Sequence, residues 1–311
     1  MRFPKSQSAS VKAPRLLPVA VLLLTMNCLA GCASDSSGGA AARLTPGKSE
    51  AAMLKAGDTA RDGGDVRSAG ELYRQAAAIA PNDPAPYDHL GGALFKSGAY
   101  GEAFEAFRSS ATRDPDNFAT NMKLGKLSLA LGKPELALGY YEAARRKHGD
   151  DALIWNGLGV AHDTLGNHVQ AQADYRNGMK LAPDNLGIRN NYGLSQAIAG
   201  DYPGAIATLT AVVADPRATA RHRQNLALAY GLSGDYVNAS IVARKDISDT
   251  DSARNQQYYS RLRAMDDRSR TRAILGSEFG RDTGGDDAAG PVTSPGGDSD
   301  KIPVEQHPLP R

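Results

Sequence analysis

Small and apolar residues recur along the chain every 34 positions, from about residue 50 to residue 251. One column is glycine in five units and alanine in the sixth: Gly57, Gly91, Gly125, Gly159, Gly193 and Ala227. Twelve positions later every unit has alanine: Ala69, Ala103, Ala137, Ala171, Ala205 and Ala239. Four positions after each alanine stands an aromatic or aliphatic residue, which the last unit reduces to alanine: Tyr73, Phe107, Tyr141, Tyr175, Leu209 and Ala243. Columns that keep this register through six units indicate a structural repeat.

Each unit predicts two helices, A and B, separated by a tight turn. Apolar residues such as Trp155 and Leu158 recur at helical spacing and are expected in the core. A second glycine column marks the turn, because glycine accepts the left-handed conformation that ends a helix: Gly64, Gly98, Gly132, Gly166, Gly200 and Gly234. Proline then stops helix B in three units: Pro81, Pro115 and Pro183. In the fourth unit we expect helices over residues 152–164 and 169–181.

The glycines of the first column lie inside helix A, where they are costly. Each costs about 1 kcal/mol relative to alanine, so five together cost roughly as much as the whole stability of a typical domain. Such a cost is tolerable only where the missing side chain lets a second helix come close. We expect the alanine column of helix B to supply the facing surface.

The period and the helix–turn–helix pattern resemble the tetratricopeptide repeat. The resemblance implies an all-α solenoid of about six helix-turn-helix repeats plus a closing helix, over residues 50–265. The closing helix is expected over residues 251–265, with Asp249 or Asp251 as its N-cap. Residues 266–311 are expected to form a mostly disordered tail, because glycine, proline and acidic residues dominate from Ser277 onward.

The first 31 residues predict an export signal, with four basic residues followed by a short apolar run. The sequence Leu-Ala-Gly-Cys at residues 29–32 resembles the lipobox of bacterial lipoproteins, which implies cleavage before Cys32 and attachment of acyl chains to its thiol. Several chains together give stable membrane anchoring. Residues 32–49 are rich in serine, glycine and alanine and predict a flexible tether. A plain secretory signal with incidental cysteines is the alternative interpretation.

Charge and composition exclude several classes of function. The formal net charge is +2, and removing residues 1–31 deletes four bases and no acid, which leaves about −2. This balance does not indicate a nucleic-acid partner. The six histidines lack the paired spacing of metal ligands, and Gly157-Leu158-Gly159 lacks the context of a nucleotide loop. We therefore expect no enzyme activity, no cofactor, no metal and no small-molecule substrate.

The stacked A helices should line a concave groove that binds peptides. Unit positions place these residues in it: Asp88, Lys96, Met122, Lys126, Leu129, Asn156, Val160, Asp163, Asn190, Asn191, Leu194, Gln224, Asn225 and Leu228. Asn191 and Asn225 are 34 residues apart and resemble the asparagine ladders of peptide-binding repeats, because an amide can pair with any peptide unit. Alternatively, the asparagines only suit a solvated helix face. If they bind, replacing both by alanine should weaken partner binding and leave melting unchanged.

The segment Asn255-Gln256-Gln257-Tyr258-Tyr259-Ser260-Arg261-Leu262 resembles the closing segment of tight-adherence (Flp) pilus assembly lipoproteins of the TadD type. The resemblance implies a non-catalytic scaffold, lipid-anchored in the outer membrane and facing the periplasm. Its partners would then be pilus assembly or secretin subunits. An envelope adaptor that recruits peptidoglycan hydrolases or proteases is the alternative. The six arginines between Arg254 and Arg272 could touch anionic lipid or an acidic partner, although a solvated helix face is the simpler interpretation.

Overall fold

A computed structural model describes residues 46–278, and within this range every regular element is an α-helix. Side-chain contacts are described for residues 47–276. The helices are α1 (Pro46–Asp62), α2 (Val66–Ile79), α3 (Ala85–Lys96), α4 (Tyr100–Arg113), α5 (Phe118–Ala130), α6 (Pro134–His148), α7 (Ala152–Thr164), α8 (His168–Leu181), α9 (Leu186–Ile198), α10 (Tyr202–Val213), α11 (Ala220–Ser233), α12 (Tyr236–Ala243), α13 (Asp249–Ala264) and α14 (Asp267–Glu278). Helices α1 to α12 form six antiparallel pairs, and each pair packs on the next. The predicted all-α solenoid of helix-turn-helix repeats is confirmed.

The turn glycines adopt the conformation that the sequence predicts. Their φ angles lie between +64° at Gly132 and +94° at Gly234, in the left-handed region. Each follows helix A and lets the chain reverse into helix B, which begins two positions later. Side-chain caps then begin several helices: Asn117, Asp151 and Asn185 cap A helices, while Asp65, Asp201 and Asp235 cap B helices.

The first glycine column allows close packing, but its partner is not the alanine column. A Cβ built on Gly91 would lie 2.8 Å from ring atoms of Phe107, and one on Gly159 would lie 2.5 Å from Cε1 of Tyr175. At Gly193 the nearest atom belongs to Leu209, at 2.7 Å. The side chain four residues after the alanine therefore fills the space that glycine leaves. The alanines are themselves buried, at 0–1% exposure.

The end of the array differs from the sequence prediction in two ways. The N-cap of α13 is Ser248, whose hydroxyl accepts from the backbone N–H of Asp251, rather than Asp249 or Asp251. Residues 267–278, at the start of the tail that is expected to be mostly disordered, form helix α14, which carries the buried side chains Ile274 and Leu275. The arginines and serines of this helix hide its short apolar face in the sequence. The signal at residues 1–31, Cys32, the tether up to residue 45 and the tail from residue 279 lie outside the described residues.

Candidate functional site

The concave face is built from the A helices, which stack α1 on α3, α5 on α7, α7 on α9 and α9 on α11. At three steps, successive A helices are joined by side-chain hydrogen bonds between two neighbouring columns of the repeat. In each bond, a residue of one A helix pairs with the residue of the next A helix that lies 35 positions later. Asp88 accepts from the Lys123 ammonium at 2.8 Å, and Asn156 accepts from the Asn191 amide at 3.0 Å. Asn190 accepts from the Asn225 amide at 3.1 Å. We call these three pairs the rungs of the concave face.

The intervening step has no rung, because Met122 and Gly157 hold the corresponding positions in these two columns. Gly157 cannot carry a side chain here, since a Cβ at this position would lie 2.5 Å from Cζ of Tyr141. The series is therefore an ion pair between the second and third repeats, a gap, and then two amide pairs between the fourth, fifth and sixth repeats.

The four predicted asparagines come together, although not in the predicted register. Asn191 and Asn225 hold equivalent positions but do not pair with each other. Instead, the Asn190 amide donates to Asn191 Oδ1 at 3.4 Å, which joins the two amide rungs into one relay from Asn225 to Asn156. Asn190 and Asn225 are 3% and 7% exposed, whereas Asn156 and Asn191 are half-buried.

At one end of the relay, some amide donors and acceptors are not used by the relay itself. Each amide has two N–H donors and an oxygen with two lone pairs, and the relay uses one donor or one lone pair of each group it joins. Asn156 and Asn191 reach the surface, so these two amides are the ones that a peptide backbone could meet. Asn190 and Asn225 are too deeply buried for direct contact. The peptide-binding hypothesis therefore narrows from four asparagines to two.

Two apolar residues of the predicted groove are covered by helix α14. Leu194 and Leu228 are 3% and 7% exposed, and they belong to one buried cluster with Ile274 and Leu275 of α14. Helix α14 packs against α7, α9 and α13, so it lies over the part of the concave face that belongs to the fourth and fifth repeats. Nearer the N-terminus, Leu129 is buried. The other predicted groove residues there are exposed or half-buried: Asp88, Lys96, Met122, Lys126 and Val160.

Asp163 is an interior hydrogen-bond acceptor rather than a groove residue. It is 2% exposed and accepts from the Tyr175 hydroxyl at 3.0 Å and the Ser195 hydroxyl at 2.8 Å. His168 Nδ1 lies 2.8 Å from Asp163 Oδ1, and Nε2 of the same ring lies 3.2 Å from the Thr271 hydroxyl of α14. A buried carboxylate with these partners is well satisfied. The sequence offered no signal for this network, because its members are spread over 108 positions, from Asp163 to Thr271.

A second histidine–carboxylate pair joins α7 to α8. Burial raises the pKa of the Asp174 carboxyl above its ordinary value, and the hydrogen bond with His162, at 2.7 Å, opposes that shift. Within residues 46–278, no group of three or more histidine, cysteine or acidic side chains is placed to hold a metal ion. Across the same range, no helix combines the length and the apolar character needed to span a bilayer.

The arginines between residues 254 and 272 mostly face solvent. Five of the six are exposed: Arg254, Arg261, Arg263, Arg268 and Arg272. Arg270 is different, because only 8% of it is exposed and it contacts Asp267 of its own helix.

Three stretches of the chain, residues 54–118, 122–185 and 164–220, match the sequence profile of the tetratricopeptide repeat and together span just over half of its length. The chain belongs to the tetratricopeptide-repeat family. Repeats of this family generally mediate protein–protein interactions and are typical of non-catalytic scaffolds. The concave face of this tetratricopeptide-repeat array is accordingly its candidate interaction site.

Several known proteins share the repeat. A tetratricopeptide-repeat protein from Parabacteroides merdae has a TM-score of 0.62 at 17% identity, over 75% of this chain and 92% of its own. Pseudomonas aeruginosa PilF has a TM-score of 0.51 at 14% identity, over 63% and 90%. The bovine BBSome complex member BBS4 is 26% identical over 150 residues, and this match spans 48% of the chain and 29% of BBS4. At these identities the likeness establishes the fold.

Proposed function

We propose that the protein is a lipid-anchored, non-catalytic scaffold that assists assembly of the Flp/Tad pilus secretion machinery, in the outer membrane and on its periplasmic side. The closing segment at residues 255–262 carries the proposal, because it is the feature particular to pilus assembly lipoproteins of the TadD type. The lipobox ending at Cys32 supports the anchor, and the repeats supply surfaces for protein partners.

The placement of the closing segment is compatible with this role. It lies in α13, where Asn255, Tyr258, Tyr259 and Leu262 are buried against the last repeat. The side chain of Tyr259 occupies the space over Gly231 of α11, where a Cβ would lie 2.2 Å from Cδ2 of the ring. The segment thus repeats, at the end of the array, the packing of an aromatic ring over a glycine. Its exposed residues, such as Gln257 and Arg261, form the outer face of the array.

The anchor is tested by replacing Cys32 with serine in the producing cell. Because the acyl chains would have no thiol to join, we expect the Cys32→Ser protein to leave the membrane fraction. We also expect heat-resistant secretin multimers to decrease, as they should in a strain lacking the protein. A Cys28→Ser variant is the matched control and should fractionate like the wild type. Unchanged fractionation of Cys32→Ser would refute the lipid anchor.

The partner is tested by crosslinking in membranes, followed by purification of the scaffold. Recovery of secretin or pilus assembly subunits supports the proposal. Recovery of a peptidoglycan hydrolase or a protease without secretin would contradict it and favour the envelope-adaptor function.

A further inference from the structure

Helix α14 occupies the concave face as a ligand would. Ile274 and Leu275 point into the cluster that contains Leu194 and Leu228, and they are 4% and 5% exposed. The opposite side of the helix faces solvent, as at Ser269. An amphipathic helix laid in a groove with its apolar face inward is a common mode of peptide recognition. Here the helix comes from the same chain.

Some polar groups of α14 are hydrogen-bonded weakly or not at all. The Nε of Arg270 is buried and has no hydrogen-bond acceptor among the described residues, and the guanidinium instead contacts Asp267 of its own helix. A buried donor without an acceptor is unfavourable. The Tyr258 hydroxyl donates to the Ala273 carbonyl at 3.4 Å, which is longer than an ordinary O–H···O hydrogen bond. A hydrogen bond from α14 to the fourth repeat joins Thr271 and His168, at 3.2 Å.

The packing of α14 is also incomplete. A cavity of about 330 Å³ lies between this helix and the third and fourth repeats. Leu129 and Thr164 form part of its wall on the repeat side, and Thr271 and Leu275 form part of its wall on the helix side. Exposed residues such as Arg268 and Arg272 also line it, so the cavity is open to solvent and leaves this side of α14 without a packing partner. A side chain larger than those of α14 would fill the space.

We propose that α14 is a replaceable occupant of the concave face, and that the partner of this scaffold presents an amphipathic helix that takes its place. The partner helix carries two adjacent aliphatic side chains, like Ile274 and Leu275, and a bulkier apolar residue that enters the cavity beside Leu129. The identification of this face as a partner-binding surface rests on the proposed scaffold function. The replaceability of α14 rests on the unpaired Arg270 N–H and the cavity alone.

The first test uses the purified full chain and a fluorescein-labelled peptide of residues 266–278 as the probe. Leu275→Asp places a charge in the buried cluster and releases α14, while Ser269→Asp adds the same charge at an exposed position of the same helix. An occupied site lowers the apparent affinity in proportion to the fraction of open molecules. We therefore expect Leu275→Asp to bind the probe about tenfold more tightly than the wild type, measured by fluorescence polarisation, and Ser269→Asp to match the wild type.

A second measurement needs no change in the chain and covers the case in which Leu275→Asp disturbs the repeats. Unlabelled peptide is added in excess to the wild-type chain, and hydrogen exchange of residues 267–278 is followed by mass spectrometry. Displacement should raise the exchange of this helix while α3 and α5 keep their protection. A peptide with aspartate at the position of Leu275 should have no effect.

The proposal is overturned if excess peptide leaves the exchange of α14 unchanged. It is also overturned if a folded Leu275→Asp chain binds the probe no better than the wild type, including the case of no binding by either. Both measurements use purified protein, so they remain decisive if the pilus role or the lipid anchor is disproved.

Discussion

Two adjacent glycines in helix α3 allow a direct test of why the first glycine column exists. A Cβ on Gly91 would lie 2.8 Å from three ring atoms of Phe107, whereas a Cβ on Gly92 would meet no atom within 4 Å. Both residues lie inside the same helix, Ala85–Lys96, so alanine improves the helix propensity equally at both positions. The two substitutions Gly91→Ala and Gly92→Ala therefore differ only in the contact with the ring.

The expected magnitudes follow from two opposing effects. Replacing a helical glycine by alanine stabilises by about 1 kcal/mol. Adding a methyl group to a filled core destabilises by about 1–3 kcal/mol. The Phe107 side chain is 1% exposed, so the ring cannot move aside without disturbing its neighbours. Gly92→Ala should therefore raise the free energy of unfolding by about 1 kcal/mol, and Gly91→Ala should leave it unchanged or lower it by about 2 kcal/mol.

The assay is urea denaturation of the purified chain, followed by circular dichroism of the helices. The double variant Gly91→Ala with Phe107→Leu adds a coupling measurement, because a smaller side chain over the alanine should relieve part of the clash. The sixth repeat already shows this combination, since Ala227 in the glycine column accompanies Ala243 in the aromatic column. Equal shifts for Gly91→Ala and Gly92→Ala would refute the proposed role of the glycine column.

Two further predictions concern hydrogen-bonded polar groups. Asn225→Ala should lower the free energy of unfolding by about 1–3 kcal/mol in the same assay, because it removes the donor to the buried oxygen of Asn190; the exposed Gln257→Ala should have no effect, and equal stability of the two variants would contradict the rung. Although burial alone would raise the pKa of the Asp58 carboxyl, hydrogen bonds from Tyr73 and His89 bring it below its ordinary value of 3.8. A lowered pKa stabilises the fold above the ordinary value, and this contribution is lost as the pH falls through the lowered pKa. Asp58→Asn should therefore lower the urea midpoint at about pH 6, and the difference from the wild type should shrink at about pH 3; a difference independent of pH would contradict this assignment.

The repeat itself could be predicted from the sequence because each column is a local, periodic constraint. The turn at Gly166, with φ of +81°, and the helices around it follow from a conformation that glycine adopts at little steric cost. The pairing partner of each helical glycine was wrong for a physical reason. Matching small residues to small residues is reasonable from spacing alone, but the long Tyr175 side chain reaches back over Gly159 and fills the same gap.

The details of the concave face could not be predicted from the period. The rungs join residues 35 positions apart, so the asparagines that share a column, Asn191 and Asn225, do not pair. The burial of Asn225 also changes one expectation, because replacing this residue should lower the melting temperature, which was expected to stay unchanged. The position of α14 depends on contacts far along the chain, such as that between His168 and Thr271, and no local signal specifies it.

That contact also bears on how the chain folds and unfolds. In an ordinary solenoid each repeat touches its neighbours, so the ends can open one unit at a time. The hydrogen bond between His168 and Thr271 instead joins residues 103 positions apart, and it ties the last helix to the fourth repeat. While α14 stays in place, repeats four to six should consequently open as one cooperative unit, and the docking of α14 should be slow because a long loop must close first. The first three repeats lack such a tie among the described residues, and they are the part free to fray stepwise.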